Sequence, residues 1–320
     1  MKILVVGGAG YIGSHVVYDL IDAGHQVTTF DNLSLGLREN IDARATFVKG
    51  DYRSATDLEQ VFQQSFDAVF HFGALKAAGD SMVEPERYAD SNIAGTINLL
   101  GQMSKHNVKK IIFSSSAAVY GEPEYLPLDE AHSLKPINFY GYTKLAIEEI
   151  LGWYSRLKGL SFAALRYFNA TGYDISGRVK GKERDPNNLS PIVMEALAGE
   201  RPGLTVYGND YETPDGTCIR DYIHVNDLAS AHIAAMNYLF EKNQSLTVNL
   251  GTGRGYSVLE LIAAAEQAAG QKVQYTVGER RAGDAPELVA DSSLARELLG
   301  WQPENSDMLT IMKSMVPVYL

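Results

Sequence analysis

Apolar residues in this chain follow two rhythms. Short β-branched and aliphatic runs recur, and between them lie longer stretches with apolar residues three and four apart. Ile3-Leu4-Val5-Val6 is the first run and predicts a strand buried on both faces. A helical pattern follows through Leu20 and Ile21, with Gly24 as its stop. Gln26–Phe30, Thr46–Val48, Ala68–Phe70, Lys110–Phe113 and Phe162–Leu165 predict further strands. The amphipathic stretches Tyr88–Lys105 and Lys144–Leu157 predict two of the intervening helices. Strands alternating with helices imply an α/β chain with a parallel sheet. Ligands of such sheets sit at the carboxyl ends of the strands. That gathers Asp51, the Phe72–Lys76 loop, Ser116 and Phe168 around one crevice. Further on, Ser257-Val258-Leu259-Glu260 reads as a capping box opening the helix Leu261–Ala269. Asp227 reads as a cap before Leu228, and Tyr207–Thr217 as an exposed loop. No internal repeat or long linker interrupts the pattern.

Composition narrows the class. A chain of 320 residues holds one large α/β domain plus a smaller one. With 45% of residues apolar and 21% charged, it matches a globular enzyme rather than a disordered chain. The formal net charge of -11 argues against a nucleic-acid partner or an anionic membrane surface. An anionic ligand would need its own local Arg or Lys. The single cysteine, Cys218, excludes an internal disulfide, reads as a buried small hydrophobe and fits a reducing cytosol. No apolar run is long enough to cross a membrane, and the amino-terminal strand lacks the features of a secretory signal. A cytoplasmic location is the expectation. The histidines are scattered without metal-ligand spacing, so no metal site is expected. His71 and His224 flank strands and read as structural.

The glycines add chemistry. The first strand runs into Gly7-Gly8-Ala9-Gly10-Tyr11-Ile12-Gly13, and a helix follows. This G-x-x-G-x-x-G spacing is a variant of the Rossmann fingerprint. Gly7 allows the tight turn, Gly10 lets the backbone approach a pyrophosphate, and Gly13 lets helix and strand pack closely. The helix N-terminus offers free N–H groups to phosphate. Asp31 ends the second strand, where a carboxylate binds the adenosine ribose hydroxyls and repels a 2′-phosphate. NAD is therefore favoured over NADP, although Asp31 and Asn32 also fit a plain turn.

Tyr140-Gly141-Tyr142-Thr143-Lys144 carries the candidate catalytic pair. Tyr140 and Lys144 are four apart and share a helix face. A phenol beside an ammonium is expected to have a depressed pKa. A phenolate near neutral pH takes a proton from a sugar hydroxyl. Ser116 ends the run Ile111–Ser116, which would deliver its hydroxyl at a strand's carboxyl end. Such a Tyr–Lys spacing also occurs on ordinary surface helices.

Taken together, these motifs resemble the extended short-chain dehydrogenase/reductases, and within them the UDP-glucose 4-epimerase family. The likeness runs from Met1 to about Trp301. Its most specific stretches are His71–Ala77, Ser114–Gly121, Arg166–Asn169, Pro186–Leu189, Tyr207–Tyr211, Asp215–Thr217 and Arg220–Val225. It implies a Rossmann-type doubly wound parallel sheet over residues 1–175, with a return segment near 223–250. Residues 176–320 would form mainly a smaller mixed α/β domain for a UDP-sugar. The resemblance implies NAD contacts from Gly7, Gly10, Tyr11, Ile12 and Gly13, and from Asp31, Asn32, Leu33, Ser34, Leu35 and Gly36 at the ribose. Asp51 and Tyr52 would lie near the adenine. Phe72, Gly73, Ala74, Leu75, Lys76 and Asn92 would flank the pyrophosphate and ribose, and Phe168 the nicotinamide. Tyr140 and Lys144 would touch the cofactor, Lys144 holding the nicotinamide ribose. On the substrate side it implies Ser116, Asn169, Asn188, Leu189, Thr205, Tyr207, Arg220, Tyr222, Arg281 and Asp284. Arg220 and Arg281 would neutralise a diphosphate by bidentate hydrogen bonds. The family's dimer uses helices matching the two amphipathic stretches, so a homodimer is implied.

The implied reaction inverts C4 of a UDP-hexose through a 4-ketosugar, with NAD as transient oxidant. Tyr140 would be the base, Ser116 would hydrogen-bond the reacting oxygen, and Lys144 would tune Tyr140. The rivals are a nucleotide-sugar 4,6-dehydratase or decarboxylase, and a catalytically silent NAD-binding protein. Dehydratases carry an Asp-Glu pair where this chain has Ala117 and Ala118. Three positions depart from the family pattern: Ala170 replaces a usual proline, Leu288 a frequent tyrosine, and Asp307–Leu320 is an unfamiliar tail. Leu288 is expected on the wall of the sugar pocket, widening it toward N-acetylated UDP-hexosamines.

Overall fold

The computed structural model of the chain describes residues 1–320 except Ala282. Its strands are β1 (Lys2–Val6), β2 (Gln26–Asp31), β3 (Thr46–Lys49), β4 (Ala68–His71), β5 (Lys110–Ser116), β6 (Ser161–Tyr167), β7 (Asn169–Thr171), β8 (Leu204–Tyr207), β9 (Ile219–His224), β10 (Leu246–Leu250), β11 (Gly255–Ser257), β12 (Tyr275–Gly278) and β13 (Glu287–Leu288). A seven-stranded sheet has the order β10-β6-β5-β4-β1-β2-β3, and every pairing in it is parallel. The order reverses between β1 and β4, so a crevice opens at the carboxyl ends of these two strands. The Rossmann-type expectation holds.

Period-two geometry explains why β1 is apolar throughout. Ile3 and Val5 pack with Val16 and Leu20 of the helix Tyr11–Asp22 and with Leu228 and Met236 of the helix Val225–Lys242. Leu4 and Val6 face the other way, onto Leu99 and Leu100 of Gly95–Lys105 and Ile147 of Phe139–Lys158. Both faces are covered, so no polar side chain relieves the run. A third core joins the helices Leu189–Leu197, Val258–Ala269 and Met308–Tyr319 around Val206 and Tyr222. There β9 is flanked by β7, β11 and β13, and β8 pairs with β12 alone. Cys218 is buried, as expected.

Local chemistry moved several expected boundaries. The Tyr88–Lys105 stretch is a short helix Pro85–Tyr88, a wide π turn Ala89–Ala94, and the helix Gly95–Lys105. Asp227 does not cap its helix. The His224 ring does so, accepting from Asn226 N at 3.0 Å. Asp227 sits in the first turn, buried, and accepts from Asn305 N at 2.9 Å and Asn305 Nδ2 at 2.8 Å. A carboxylate is favoured in a first turn as well as at a cap, which is why composition did not separate the two. The capping box at Ser257 is present, with the helix starting at Val258. The loop after Tyr207 folds back on itself, Tyr211 N donating to Gly216 O at 3.0 Å, so Tyr211 and Thr217 are buried. The unfamiliar tail is built into the fold. Asp307 caps Met308–Tyr319, and Ile311, Met312 and Met315 enter the third core. Trp301 instead joins the first core, its Nε1 donating to Asp227 O at 3.0 Å.

The glycine turn makes a close backbone contact on the path to the crevice. Gly7 has φ +79°, and a Cβ there would lie 2.7 Å from Gly73 N. A Cβ on Gly13 would lie 2.3 Å from Gly7 O. Gly13→Ala is therefore expected to lower stability by about 1–3 kcal/mol, the usual cost of overpacking. The denaturant midpoint measures it, and an unchanged midpoint would mean that helix and strand separate freely.

Candidate active site

The helix Phe139–Lys158 starts where Asn138 accepts from Gly141 N at 2.8 Å. This cap places Tyr140 in the first turn and Lys144 one turn later, over the end of β5. Lys144 is buried, and its Nζ donates to Ser114 O at 2.7 Å. The same nitrogen lies 4.9 Å from the Phe113 ring centre and 5.8 Å from that of Tyr140. Ser116 ends β5, its Oγ accepting from Ala118 N at 3.2 Å. The strand and helix thus bring Ser116, Tyr140 and Lys144 to one wall of a cavity of about 300 Å³.

The electrostatics differ from the expectation of a depressed phenol. Burial pushes Tyr140 up to about 12, and the Ser116 hydroxyl offsets only part of this. Burial also pushes Lys144 down to about 7, opposed by the Glu148 carboxylate. Both groups have been lifted out of water, and desolvation favours the neutral amine and the neutral phenol together. Helical spacing alone does not carry that cost.

The floor of this cavity is the glycine turn. Gly7, Gly10, Tyr11, Ile12 and Gly13 line it, with Leu35, Phe72, Ala74, Lys76 and Phe168. Gly10 offers no side-chain cap to the helix Tyr11–Asp22, so the first N–H groups are free for an anion. Other expected residues stand behind this lining. Asp31 accepts from Ala9 N at 3.0 Å and Leu33 N at 2.8 Å, holding the turn against β2. Burial raises its pKa, and these two N–H groups oppose the rise. Gly36 packs beside it. Asn32 accepts from Ser34 N at 2.8 Å and donates to Asp51 at 3.0 Å. Tyr52 is buried under Gly73, its hydroxyl 2.9 Å from Ser91 Oγ. Asn92 accepts from Leu75 N at 2.9 Å and donates to Leu75 O and Thr143 Oγ1, each at 3.0 Å. It therefore ties the Phe72–Lys76 loop to the helix of Tyr140. Leu37, Asn40, Ser114, Tyr167, Lys182, Glu183 and Arg184 also line the cavity and were not anticipated. Lys76 pairs with Glu183 across it. Only a charged run, Lys180–Asp185, marks that segment in the sequence.

A second cavity of about 730 Å³ continues from the first, sharing Asn169, Ala170 and Asn188. Leu189, Thr205, Tyr207, Arg220, Tyr222, Arg281 and Asp284 line it. Arg220 donates to Ala285 O at 2.8 Å and lies 3.4 Å from Asp284 Oδ1. Arg281 donates to Asp284 Oδ2 at 2.9 Å, its guanidinium 5.0 Å from the Tyr207 ring centre. Asp284 thus holds two arginines side by side. Leu288 lines neither cavity. It pairs beside Arg220 on β9 and packs against Val119, Tyr120 and Leu128, a cluster that Phe168 also meets, so it backs the wall rather than forming it. His71 and His224 are buried with hydrogen-bond partners, Thr96 Oγ1 and Ser314 Oγ. Among the described residues no group of His, Cys, Asp and Glu is placed to hold a metal.

The sequence profile described as the NAD dependent epimerase/dehydratase family matches residues 3–251. The chain belongs to this family. Its relatives include a UDP-glucose 4-epimerase of Lacticaseibacillus casei, 45% identical over 98% of this chain and 95% of the relative. The solved UDP-glucose 4-epimerase of Brucella ovis in complex with NAD is 44% identical, with a TM-score of 0.97 over 99% of this chain and 98% of that one. That of Bifidobacterium longum, in complex with NAD+ and UDP, is 40% identical, with a TM-score of 0.94 over 99% and 98%. The glycine cradle and free helix terminus fit the family's NAD. On denaturation the purified protein is expected to release NAD rather than NADP, identified by mass analysis. Asp31→Ala should weaken NAD retention about 10- to 100-fold, the range for a lost hydrogen bond to a charged group. Mainly NADP in the extract would overturn the reading of Asp31.

Proposed function

We propose that this protein interconverts UDP-glucose and UDP-galactose by inverting C4 of the sugar. The observation that carries the reading is that the two cavities adjoin, sharing Asn169, Ala170 and Asn188. Ser116, Tyr140 and Lys144 stand at one end beside the glycine cradle, and Arg220 and Arg281 stand at the other. The relatives named above, at 40–45% identity over nearly the whole chain, support it.

Bound NAD would supply reversible acceptance of the C4 hydride. The protein does the rest. Tyr140, as phenolate, accepts the proton of the C4 hydroxyl, and Ser116 hydrogen-bonds the reacting oxygen. Lys144 would hold the nicotinamide ribose, and its charge favours the phenolate against the burial cost on Tyr140. Arg220 and Arg281 clamp the diphosphate. The 4-ketosugar then turns about its diphosphate linkage within the cavity and presents its opposite face. Asn169, Asn188, Leu189, Thr205, Tyr207 and Tyr222 complete the substrate site. A dehydratase is disfavoured because Ala117 and Ala118 supply no acid or base at the 3₁₀ turn after Ser116.

The reading sets this chemistry in the cytoplasm, where an unpaired Cys218 stays reduced. No helix among the described residues is long and apolar enough to cross a membrane. It also makes the protein a homodimer through the outer faces of Gly95–Lys105 and Phe139–Lys158. Ile97, Trp153 and Leu157 are exposed there, Leu157 by 70%. Gly101 and Gly152 leave open space on these helices for close approach. Light scattering should give twice the chain mass at micromolar concentration, and a monomer alone would remove the proposal.

Tyr140→Phe is expected to lower turnover of UDP-galactose about 100- to 10,000-fold while NAD stays bound. Separation of the products and extraction of the cofactor measure both. Near-normal turnover would exclude Tyr140 as the base, and a 4-keto-6-deoxy product from wild type would point to a dehydratase.

A further inference from the structure

Glu148 lies one more turn along the helix face of Tyr140 and Lys144, at the same spacing of four. Its side chain is 7% exposed and meets Arg166 of β6, whose side chain is 6% exposed. Arg166 Nε donates to Glu148 Oε1 at 3.0 Å and its NH2 to Oε2 at 2.6 Å. The Ser115 hydroxyl donates to the same carboxylate at 2.5 Å. The remaining guanidinium nitrogen reaches the Tyr120 hydroxyl at 3.1 Å, which donates to Asn249 Oδ1 at 2.6 Å. A buried ion pair adds little stability over apolar residues of the same volume. Its position beside the site offers a different reason for it.

Three consecutive serines at the end of β5 meet three residues of one helix face. Lys144 holds the Ser114 carbonyl, Glu148 holds the Ser115 hydroxyl, and the Ser116 hydroxyl faces Tyr140. We propose that Glu148 is a positioning residue, whose buried carboxylate stands one helical turn beyond Lys144 and locks the register between β5 and the helix that sets Tyr140 against Ser116. This rests on Tyr140 and Lys144 being the catalytic pair of the proposed epimerase.

The surroundings of Lys144 bear this out chemically. The titratable and charged groups facing it are Tyr140 and Glu148 on its own helix, His71 on β4, and Arg166 and Tyr167 on β6. Tyr88, Asp80 and Asp90 lie on segments packed against the helix, and the two aspartates are exposed to solvent. Burial pushes His71 down to about 3, so it is neutral at working pH and does not repel the ammonium. Arg166 is engaged by Glu148 and Tyr120. Glu148 is the carboxylate that opposes the burial cost on Lys144.

A carboxylate stabilises the ammonium, so removing it lowers the pKa of Lys144 further. Turnover that needs a charged Lys144 then fails at lower pH. In the full-length protein, the alkaline limb of kcat against pH for UDP-galactose should move down by about one unit in Glu148→Gln. Glu148→Asp should restore part of the shift. Glu148→Gln combined with Arg166→Met leaves no lone buried charge and should move the limb in the same direction. Circular dichroism reports whether each variant folds. A folded Glu148→Gln or double variant whose alkaline limb coincides with wild type overturns the inference. So does failure of both to fold, which would make the pair a structural element alone. A wild-type protein inactive on UDP-galactose at every pH would overturn the epimerase reading instead.

Discussion

Everything at the site depends on one hydrogen bond that crosses from helix to sheet. Lys144 Nζ donates this bond to the Ser114 carbonyl at the carboxyl end of β5. β5 makes its ladder bonds with β4 and β6, so the sheet fixes where that carbonyl points. The helix then cannot slide along the strand without breaking a charged bond in a dry interior. Tyr140 and Ser116 take their places from that anchor, one a turn back on the helix and the other two residues on in the strand. The cavity inherits its chemistry from a backbone contact rather than from the mouth of the cleft.

Water exclusion and charge oppose each other throughout. The crevice that shelters a ketosugar also removes solvent from the groups meant to ionise. For Tyr140 and Lys144 the loss of water dominates in the protein alone. The acidic chain, with its net charge of -11, gives no general positive field to help. Positive charge is supplied locally instead, by Arg220 and Arg281 held on Asp284 and by Lys76 at the cavity edge. Charge in this cleft is held in balance by a few named contacts.

The residues that could be read in advance are those whose reason is local. Gly7, Gly10 and Gly13 announce a turn because only glycine fits it, and β1 announces burial on both faces. Tyr140 and Lys144 share a face by helical arithmetic. Position across the cleft is a different matter. Lys182, Glu183 and Arg184 reach the cavity because a loop crosses it, and no spacing in the chain encodes that path. Asn92 supports the site from within a π turn that its amphipathic stretch did not betray. Leu288 was expected on a wall and lies behind it, since its place follows from pairing with β9. The direction of the Tyr140 shift was missed for the same reason. Proximity to Lys144 could be read from sequence, but the loss of water around both groups is a property of the assembled fold.

The late return of β10 to the large sheet governs how the molecule is made. β10 pairs with β6 at the edge of the sheet, yet 78 residues, 168–245, separate them in the chain. During synthesis, β6 therefore emerges long before the strand that covers it. Its bare edge of N–H and C=O groups is a template for wrong pairing until Leu246–Leu250 arrives. The helix Val225–Lys242 is made just before β10 and packs on the same side of the sheet. Among the strand pairings of the large sheet this one spans the longest stretch of chain, so it carries the greatest loop entropy of them. A ribosome pausing before residue 246 would leave a nascent chain with its cofactor cradle formed and its sheet still open.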